Sequence, residues 1–166
     1  MKRLSLLLWG FLLLSPLWSL SPPLKLFWVT SGVGYRLNPM GGGNERLHRG
    51  ADLVGPANCE VLASESGTVV ENWPAPGTPN SKGGIFSGHP TFGGYTVIDH
   101  GNGLFTCYGH MSLVLVRTGQ KVSRGQTIGY QGSTGQCTGA HLHFEVIQDP
   151  TYLFLQRIED PRELLR

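Results

Sequence analysis

Glycine and proline interrupt this chain so often that no stretch of it holds a helical period over the length of an ordinary helix. The 166 residues include 24 glycines and 11 prolines, and between them lie short runs rich in Val, Ile, Thr, Tyr and Phe. Glycine and proline destabilise helix interiors, while β-branched and aromatic residues fit a pleated surface. Short apolar runs punctuated by glycine therefore predict many short strands joined by tight turns. Apolar residues make up 40% of the chain and charged residues 14%, enough for one packed core and far from a disordered composition. The expectation is a single all-β, mainly antiparallel domain with little helix.

The strands can be placed coarsely. Residues 21–44 read as a linker with a first strand at Leu26–Val29 and a flexible Gly41-Gly42-Gly43-Asn44 loop. Arg46–Leu53 reads as one strand, stopped by Val54-Gly55-Pro56. Cys59–Ala63 and Gly67–Glu71 flank a turn. Gly94–Asp99 and Leu104–Gly109 flank His100-Gly101-Asn102-Gly103 and form the clearest hairpin. Strict alternation on the second strand of that hairpin puts Leu104, Thr106, Tyr108 and His110 on one face. Trp73–Gly94 has no apolar period and carries Pro74, Pro76, Pro79 and Pro90, so it reads as a wall or flap over a site, or as a surface insertion. Residues 151–166 form a tail.

Residues 1–20 stand apart. Met1-Lys2-Arg3 is basic, Leu4–Leu14 is apolar apart from Ser5, and small residues with a Pro follow. This is the layout of a secretory signal peptide, too short for a comfortable membrane span. No stable span is expected after its removal, and the mature chain is expected to act outside the cytoplasm. Without Lys2 and Arg3 the 13 basic residues become 11, against 11 acidic. A neutral chain argues against nucleic acid as a partner. Cys59, Cys107 and Cys137 allow one disulfide at most, with its pairing open.

The run Gly139-Ala140-His141-Leu142-His143-Phe144-Glu145-Val146 alternates with a period of two. On a strand, Leu142, Phe144 and Val146 face one side and His141, His143 and Glu145 the other. The apolar side reads as core, and the histidine side opens on a cleft or a metal. A catalytic zinc takes three protein ligands, often His and carboxylate, and keeps a position open for water. His48 and Asp52, four apart on an extended strand, point the same way and complete a His, Asp, His set beside His143. His141 and His143 are about 7 Å apart along the strand, so one can ligate while the other contacts water or a developing oxyanion. His110 ends its strand where it can face the same cleft. Hydrolysis of an amide needs such a base and such a stabiliser of charge. Glu145 can orient an imidazole or be solvated. Tyr108 reads as packing and His100 as a turn residue.

His48-x-x-x-Asp52, Tyr108-x-His110 and His141-Leu-His-Phe-Glu-Val146, with Gly119–Gly129 and Gly132-Ser-Thr-Gly135 between them, occur in an order that resembles the lysostaphin-type, LytM-like zinc metallopeptidases. The resemblance covers Arg46–Val146 and marks residues 45–150 as a catalytic domain. It implies a barrel-sandwich-like β core of the duplicated hybrid motif, with the site in a groove between loops. It implies Zn²⁺ held by His48, Asp52 and His143, with His110 and His141 as the catalytic pair. It implies an endopeptidase, expected to be monomeric, that cuts cross-links or stem peptides of bacterial peptidoglycan. Two alternatives stand beside it: a non-catalytic wall-binding or hydrolase-activating module of the same fold, and a zinc D-Ala-D-Ala carboxypeptidase. Cys137 replaces a small polar residue usual in that loop, which points to packing or a disulfide rather than ligation.

Overall fold

The computed structural model describes residues 20–80, 82, 84–148 and the backbone of 157–159. The signal-peptide reading of residues 1–20 therefore falls almost wholly outside the described residues, as does most of the tail. Among these residues thirteen strands run in order: β1 Trp28–Ser31, β2 Gly34–Leu37, β3 Glu45–His48, β4 Ala51–Val54, β5 Glu60–Leu62, β6 Gly67–Trp73, β7 Gly94–Gly101, β8 Leu104–Met111, β9 Leu113–Val114, β10 Lys121–Val122, β11 Thr127–Tyr130, β12 Leu142–Gln148 and β13 Arg157–Glu159. There is no helix among the described residues. The main sheet has the order β1-β4-β12-β8-β7-β6-β10, with β13 also paired to β12. A second sheet has the order β5-β11-β9, and β2-β3 is a separate hairpin. Every strand pairing is antiparallel, as expected from the sequence.

The core lies on one face of the main sheet. Leu53 of β4, Phe144 and Val146 of β12, Tyr108 of β8 and Ile98 of β7 cluster there with Val61 of β5 and Ile128 of β11. Burial of these side chains contributes about 1.5–3 kcal/mol each. It also fixes register, because a one-residue slip would turn each strand's apolar set to the wrong side. The opposite face carries a smaller cluster of Tyr95, Val97, Phe105, Cys107 and Ile147, with Phe92 packed against it. His143 and Glu145 belong to this second face. The hairpin turn of β7 and β8 has Gly101, Asn102 and Gly103 all in the left-handed region, at φ of 83°, 53° and 75°, a conformation glycine and asparagine adopt at low cost.

Two local expectations are corrected. Arg46–Leu53 is not one strand: it splits into β3 and β4, which lie in different sheets. The break is at Arg49-Gly50, where the chain crosses against β12. A Cβ on Gly50 would lie 2.5 Å from the Phe144 carbonyl oxygen. His100 is not a turn residue but part of β7. Its Nδ1 lies 3.0 Å from the Ser66 carbonyl oxygen and its Nε2 2.7 Å from Thr106 Oγ1. Thr106 is in turn 2.9 Å from the Tyr108 hydroxyl, which accepts from the Ser64 N–H at 2.8 Å. Tyr108 packs in the core, as expected.

The long 74–93 segment is a wall in its last part. His89 and Gly93 exchange backbone hydrogen bonds of 2.7 and 2.8 Å, and His89 Nδ1 accepts from the N–H groups of Thr91 and Phe92. Gln136 N–H donates to Thr91 O, and His110 N–H to Phe92 O. These bonds hold Phe92 over the second face of the sheet. The three cysteines are free thiols.

Candidate metal centre

Asp52 of β4 and His143 of β12 are direct cross-strand partners, and His143 is also opposite Gly109 of β8. His48 ends β3 and arrives from the β2-β3 hairpin. The three side chains meet in a small triangle. His48 Nε2 is 3.0 Å from Asp52 Oδ1 and 3.1 Å from His143 Nδ1, and His143 Nδ1 is 3.0 Å from Asp52 Oδ1. All three residues are buried, at 7%, 6% and 5% exposure for His48, Asp52 and His143, so no solvent screens this crowding.

The tautomers follow from the outer ring nitrogens. His48 Nδ1 lies 2.7 Å from the Gly32 carbonyl oxygen. A carbonyl only accepts, so Nδ1 carries the proton and Nε2 presents a lone pair. His143 Nε2 donates to Glu145 Oε1 at 3.0 Å, which leaves Nδ1 with a lone pair. Two imidazole lone pairs and a carboxylate oxygen thus converge with no donor between them, an arrangement suited to a cation. The group could hold a metal ion. A tetrahedral ion with ligands at about 2.0–2.1 Å sets its ligand atoms about 3.3 Å apart, and the observed triangle is within a few tenths of an ångström of that.

Around the triangle a further layer holds the ligands in place. The Arg36 guanidinium donates to Asp52 Oδ2 at 3.1 Å, occupying the oxygen that faces away from His143. Arg49 lies 3.8 Å from Glu145 Oε2. Burial alone would raise the Asp52 carboxyl. The polar contacts that His141, His143 and His48 make with it more than offset this and hold it well below the usual carboxylate range. Burial also works to lower His143, but its hydrogen bonds and charge interactions with Asp52 and Glu145 leave it raised.

His110 and His141 stand beside the triangle with ring centroids 4.7 Å apart. His110 Nδ1 donates to the Thr134 carbonyl oxygen at 2.7 Å, and His141 Nδ1 to that of Gly139 at 2.9 Å. Each therefore turns Nε2 inward, and His141 Nε2 is 3.4 Å from Asp52 Oδ1. Burial pushes His110 down to about 4, with the charge of His141 adding to the effect. It is a neutral base across the physiological range.

His110 does not share a face with Tyr108, as strict alternation predicts. Its φ is 64°, and the register between β7 and β8 shifts between Gly94 and Thr96. This bulge turns the His110 side chain from the core face, where Tyr108 packs on Phe144, to the face of His143. Sequence reasoning also missed Phe92. Its ring stacks on His143 at a centroid distance of 5.4 Å and on Tyr95 at 5.0 Å. It covers Gly109, whose missing side chain leaves room for it. Nothing in the sequence near Phe92 announces this; the Pro- and Gly-rich composition of its loop is the only signal.

The groove extends to both sides of the centre. One side is lined by Arg36, Met40, Arg46, Phe92, His110 and Cys137, the other by Thr30, Ser31, Thr138 and Gly139, with Arg36, Asp52, Thr138 and His141 bordering both. Cys137 lines the groove 3.7 Å from the Thr134 carbonyl oxygen and is not one of the three converging ligands.

An all-antiparallel β fold with a buried His, Asp, His triangle and two adjacent imidazoles defines a metallopeptidase-like centre. The chain belongs to peptidase family M23, whose family model matches residues 46–154. It is 44% identical over 100 residues to the peptidoglycan DD-endopeptidase ShyA of Vibrio cholerae, covering 60% of this chain and 20% of that protein. It is 36% identical over 123 residues to the DD-carboxypeptidase/endopeptidase Mpg of Neisseria meningitidis, covering 74% of this chain and 25% of that protein. The chain thus spans a fifth to a quarter of the length of these relatives. Among solved structures, a zinc-containing peptidase from Vibrio cholerae matches with a TM-score of 0.66 and 32% identity, over 88% of this chain and 38% of the other. The catalytic domain of lysostaphin from Staphylococcus simulans matches with a TM-score of 0.60 and 27% identity, over 84% and 92%.

Proposed function

We propose that this chain is a zinc endopeptidase that hydrolyses peptide bonds in bacterial peptidoglycan, acting outside the cytoplasm after removal of residues 1–20, with 45–150 as its catalytic unit. The observation that carries the reading is the convergence of the His48, Asp52 and His143 electron pairs on one point, with the Nε2 atoms of His110 and His141 turned toward it. Two nitrogens and one carboxylate oxygen in a closed, near-tetrahedral face suit Zn²⁺ better than Mg²⁺ or Ca²⁺, which prefer all-oxygen shells.

Zinc, when bound, supplies a Lewis acid and makes water acidic enough to attack near neutral pH. The chain's own residues do the rest. Asp52, fixed by Arg36, and His143, fixed by Glu145, keep the centre in shape. His110, neutral and with Nε2 free, takes a proton from the attacking water. His141, its Nδ1 held by the Gly139 carbonyl, acts in its doubly protonated form and donates from Nε2 to the oxygen of the reacting carbonyl, stabilising the charge that develops there. Phe92 excludes water from the flank of His143. The names of the relatives support peptidoglycan as the substrate.

The test is digestion of purified cell-wall sacculi by the mature chain, reading new amino termini and bound zinc together. The expected result is about one zinc per chain and a rise in free amines that a chelator abolishes. His48→Ala should lose both zinc and activity. His141→Ala and His110→Ala should keep zinc and lose activity by about two orders of magnitude or more. Full activity in either of these last two variants, or indifference to chelators, overturns the assignment.

A further inference from the structure

Arg36 and Arg46 are direct cross-strand partners in the β2-β3 hairpin, so their side chains share one face. Like charges placed opposite each other on a sheet are destabilising. Arg36 relieves its share by donating to Asp52. Arg49, the third guanidinium of the groove, lies by Glu145. Arg46 has no carboxylate partner among the described residues, although it lines the same groove. The two carboxylates there, Asp52 and Glu145, are already engaged by imidazoles and by the other two arginines. The neighbouring Glu45 points to the opposite side of the strand. One cation is therefore left uncompensated beside the reacting centre.

Its position along the strand sets what it can reach. Arg46 and His48 are two residues apart on β3, hence on one face and about 7 Å apart at the backbone. An extended substrate advances by about 3.3 Å per residue. A group met by Arg46 while the scissile bond lies at the centre belongs to a residue flanking that bond. The guanidinium fork matches a carboxylate in shape and charge.

We propose that Arg46 is a specificity-determining residue that reads a free carboxylate on the substrate residue flanking the scissile bond. The inference rests on the endopeptidase reading above and narrows it. The matching substrate is a cross-link whose amine-side residue is a diamino acid with its carboxylate free next to the scissile nitrogen. Cross-links in which that carboxylate is amidated, and bridges of glycine, lack the group.

The experiment compares two synthetic cross-linked peptide dimers, identical except that the carboxylate beside the scissile nitrogen is free in one and amidated in the other. The zinc-loaded chain should favour the free acid by about tenfold in kcat/KM, the size expected for one charge-assisted contact between the Arg46 guanidinium and a carboxylate. In Arg46→Gln the ratio should fall to near one with zinc content unchanged, and Arg46→Lys should retain part of it. A wild-type ratio near one, or a ratio that survives Arg46→Gln, overturns the inference while leaving the endopeptidase reading intact. If neither dimer is cut, the endopeptidase reading fails instead. Calorimetric binding of the same two dimers then decides about Arg46: tighter binding of the acid that Arg46→Gln abolishes supports it, and equal binding overturns it.

Discussion

The Glu145 carboxylate accepts a hydrogen bond from His143 Nε2 at 3.0 Å, and this contact sets which nitrogen of His143 faces the metal-binding triangle. Glu145→Gln keeps the shape but removes the charge, and its amide can offer a donor where an acceptor is needed. Zinc affinity is expected to fall by about 10- to 100-fold, the usual effect of losing a carboxylate behind a ligating imidazole. Competition with a chromophoric chelator measures it. Unchanged affinity would mean that Glu145 only fills space.

Gly50 allows β3 and β4 to part against β12. A Cβ there would lie 2.5 Å from Phe144 O and 3.0 Å from both Glu145 Cγ and His143 Cε1. Gly50→Ala is therefore expected to cost about 1–3 kcal/mol in stability by overpacking, and to weaken zinc binding because the His143 ring is among the groups that must give way. Denaturant unfolding with and without zinc tests both effects. A variant as stable and as tightly loaded as wild type would show that the strands simply shift apart.

If the triangle holds zinc as proposed, the ion competes with a proton for His143. The His143 pKa is raised in the metal-free protein, and a ligating imidazole must be neutral. Affinity is expected to be greatest above that raised pKa and to fall by about tenfold per pH unit below it for each proton displaced. Calorimetric titrations in buffers of different ionisation enthalpy should show proton release on zinc binding near neutral pH. Heats independent of the buffer would contradict this.

His100 gives a separate pH dependence, away from the metal. The Ser66 carbonyl requires a proton on Nδ1, so the neutral ring accepts from the Thr106 hydroxyl at Nε2. Protonating Nε2 would place a donor there and leave the Thr106–Tyr108 chain with one hydroxyl proton too many. Burial is the main force that lowers the His100 pKa, against pulls from Ser66, Glu65 and Asp99. A depressed histidine stabilises fully above its unfolded pKa of about 6.5. That contribution is lost as pH falls from there toward the folded value. The stability gap between wild type and His100→Gln should be widest above pH 7 and narrow on acidification. A gap constant with pH would exclude the neutral-ring network.

Much of the site is legible in the sequence because a strand has a period of two. The alternation in His141–Val146 separates histidine face from core face, and the structure has Leu142, Phe144 and Val146 fully buried on the core side. Where the period breaks, so does the reading. The even spacing of His48 and Asp52 brings them together, but through a chain break at Gly50 rather than along one strand. His110 arrives at the site by leaving the alternation, through a bulge and a left-handed backbone that cost energy locally and are held by tertiary contacts. The groups that orient the imidazoles (the carbonyls of Gly32, Thr134 and Gly139) are backbone atoms, which every residue has and no sequence pattern marks. Phe92 reaches His143 from across a long loop, and its partner is chosen by the fold.

The β2-β3 hairpin belongs to neither of the larger sheets. Its described side-chain bonds to the main sheet run through Arg36, to Asp52, and through His48, to the triangle and to the neighbouring Gly32 and Ser31. The same hairpin carries Met40, Arg46 and Leu47 into the groove. On the zinc reading proposed above, the ion would also rivet one bank of the groove to the rest of the molecule, and proteolysis in the 38–44 tip is expected to speed up when zinc is stripped. Chemistry and substrate grip then share a single fastener. In the wall-cutting enzyme proposed above this would act as a safety catch: the unloaded chain would lose its hold on the strand to be cut as well as the means of cutting it.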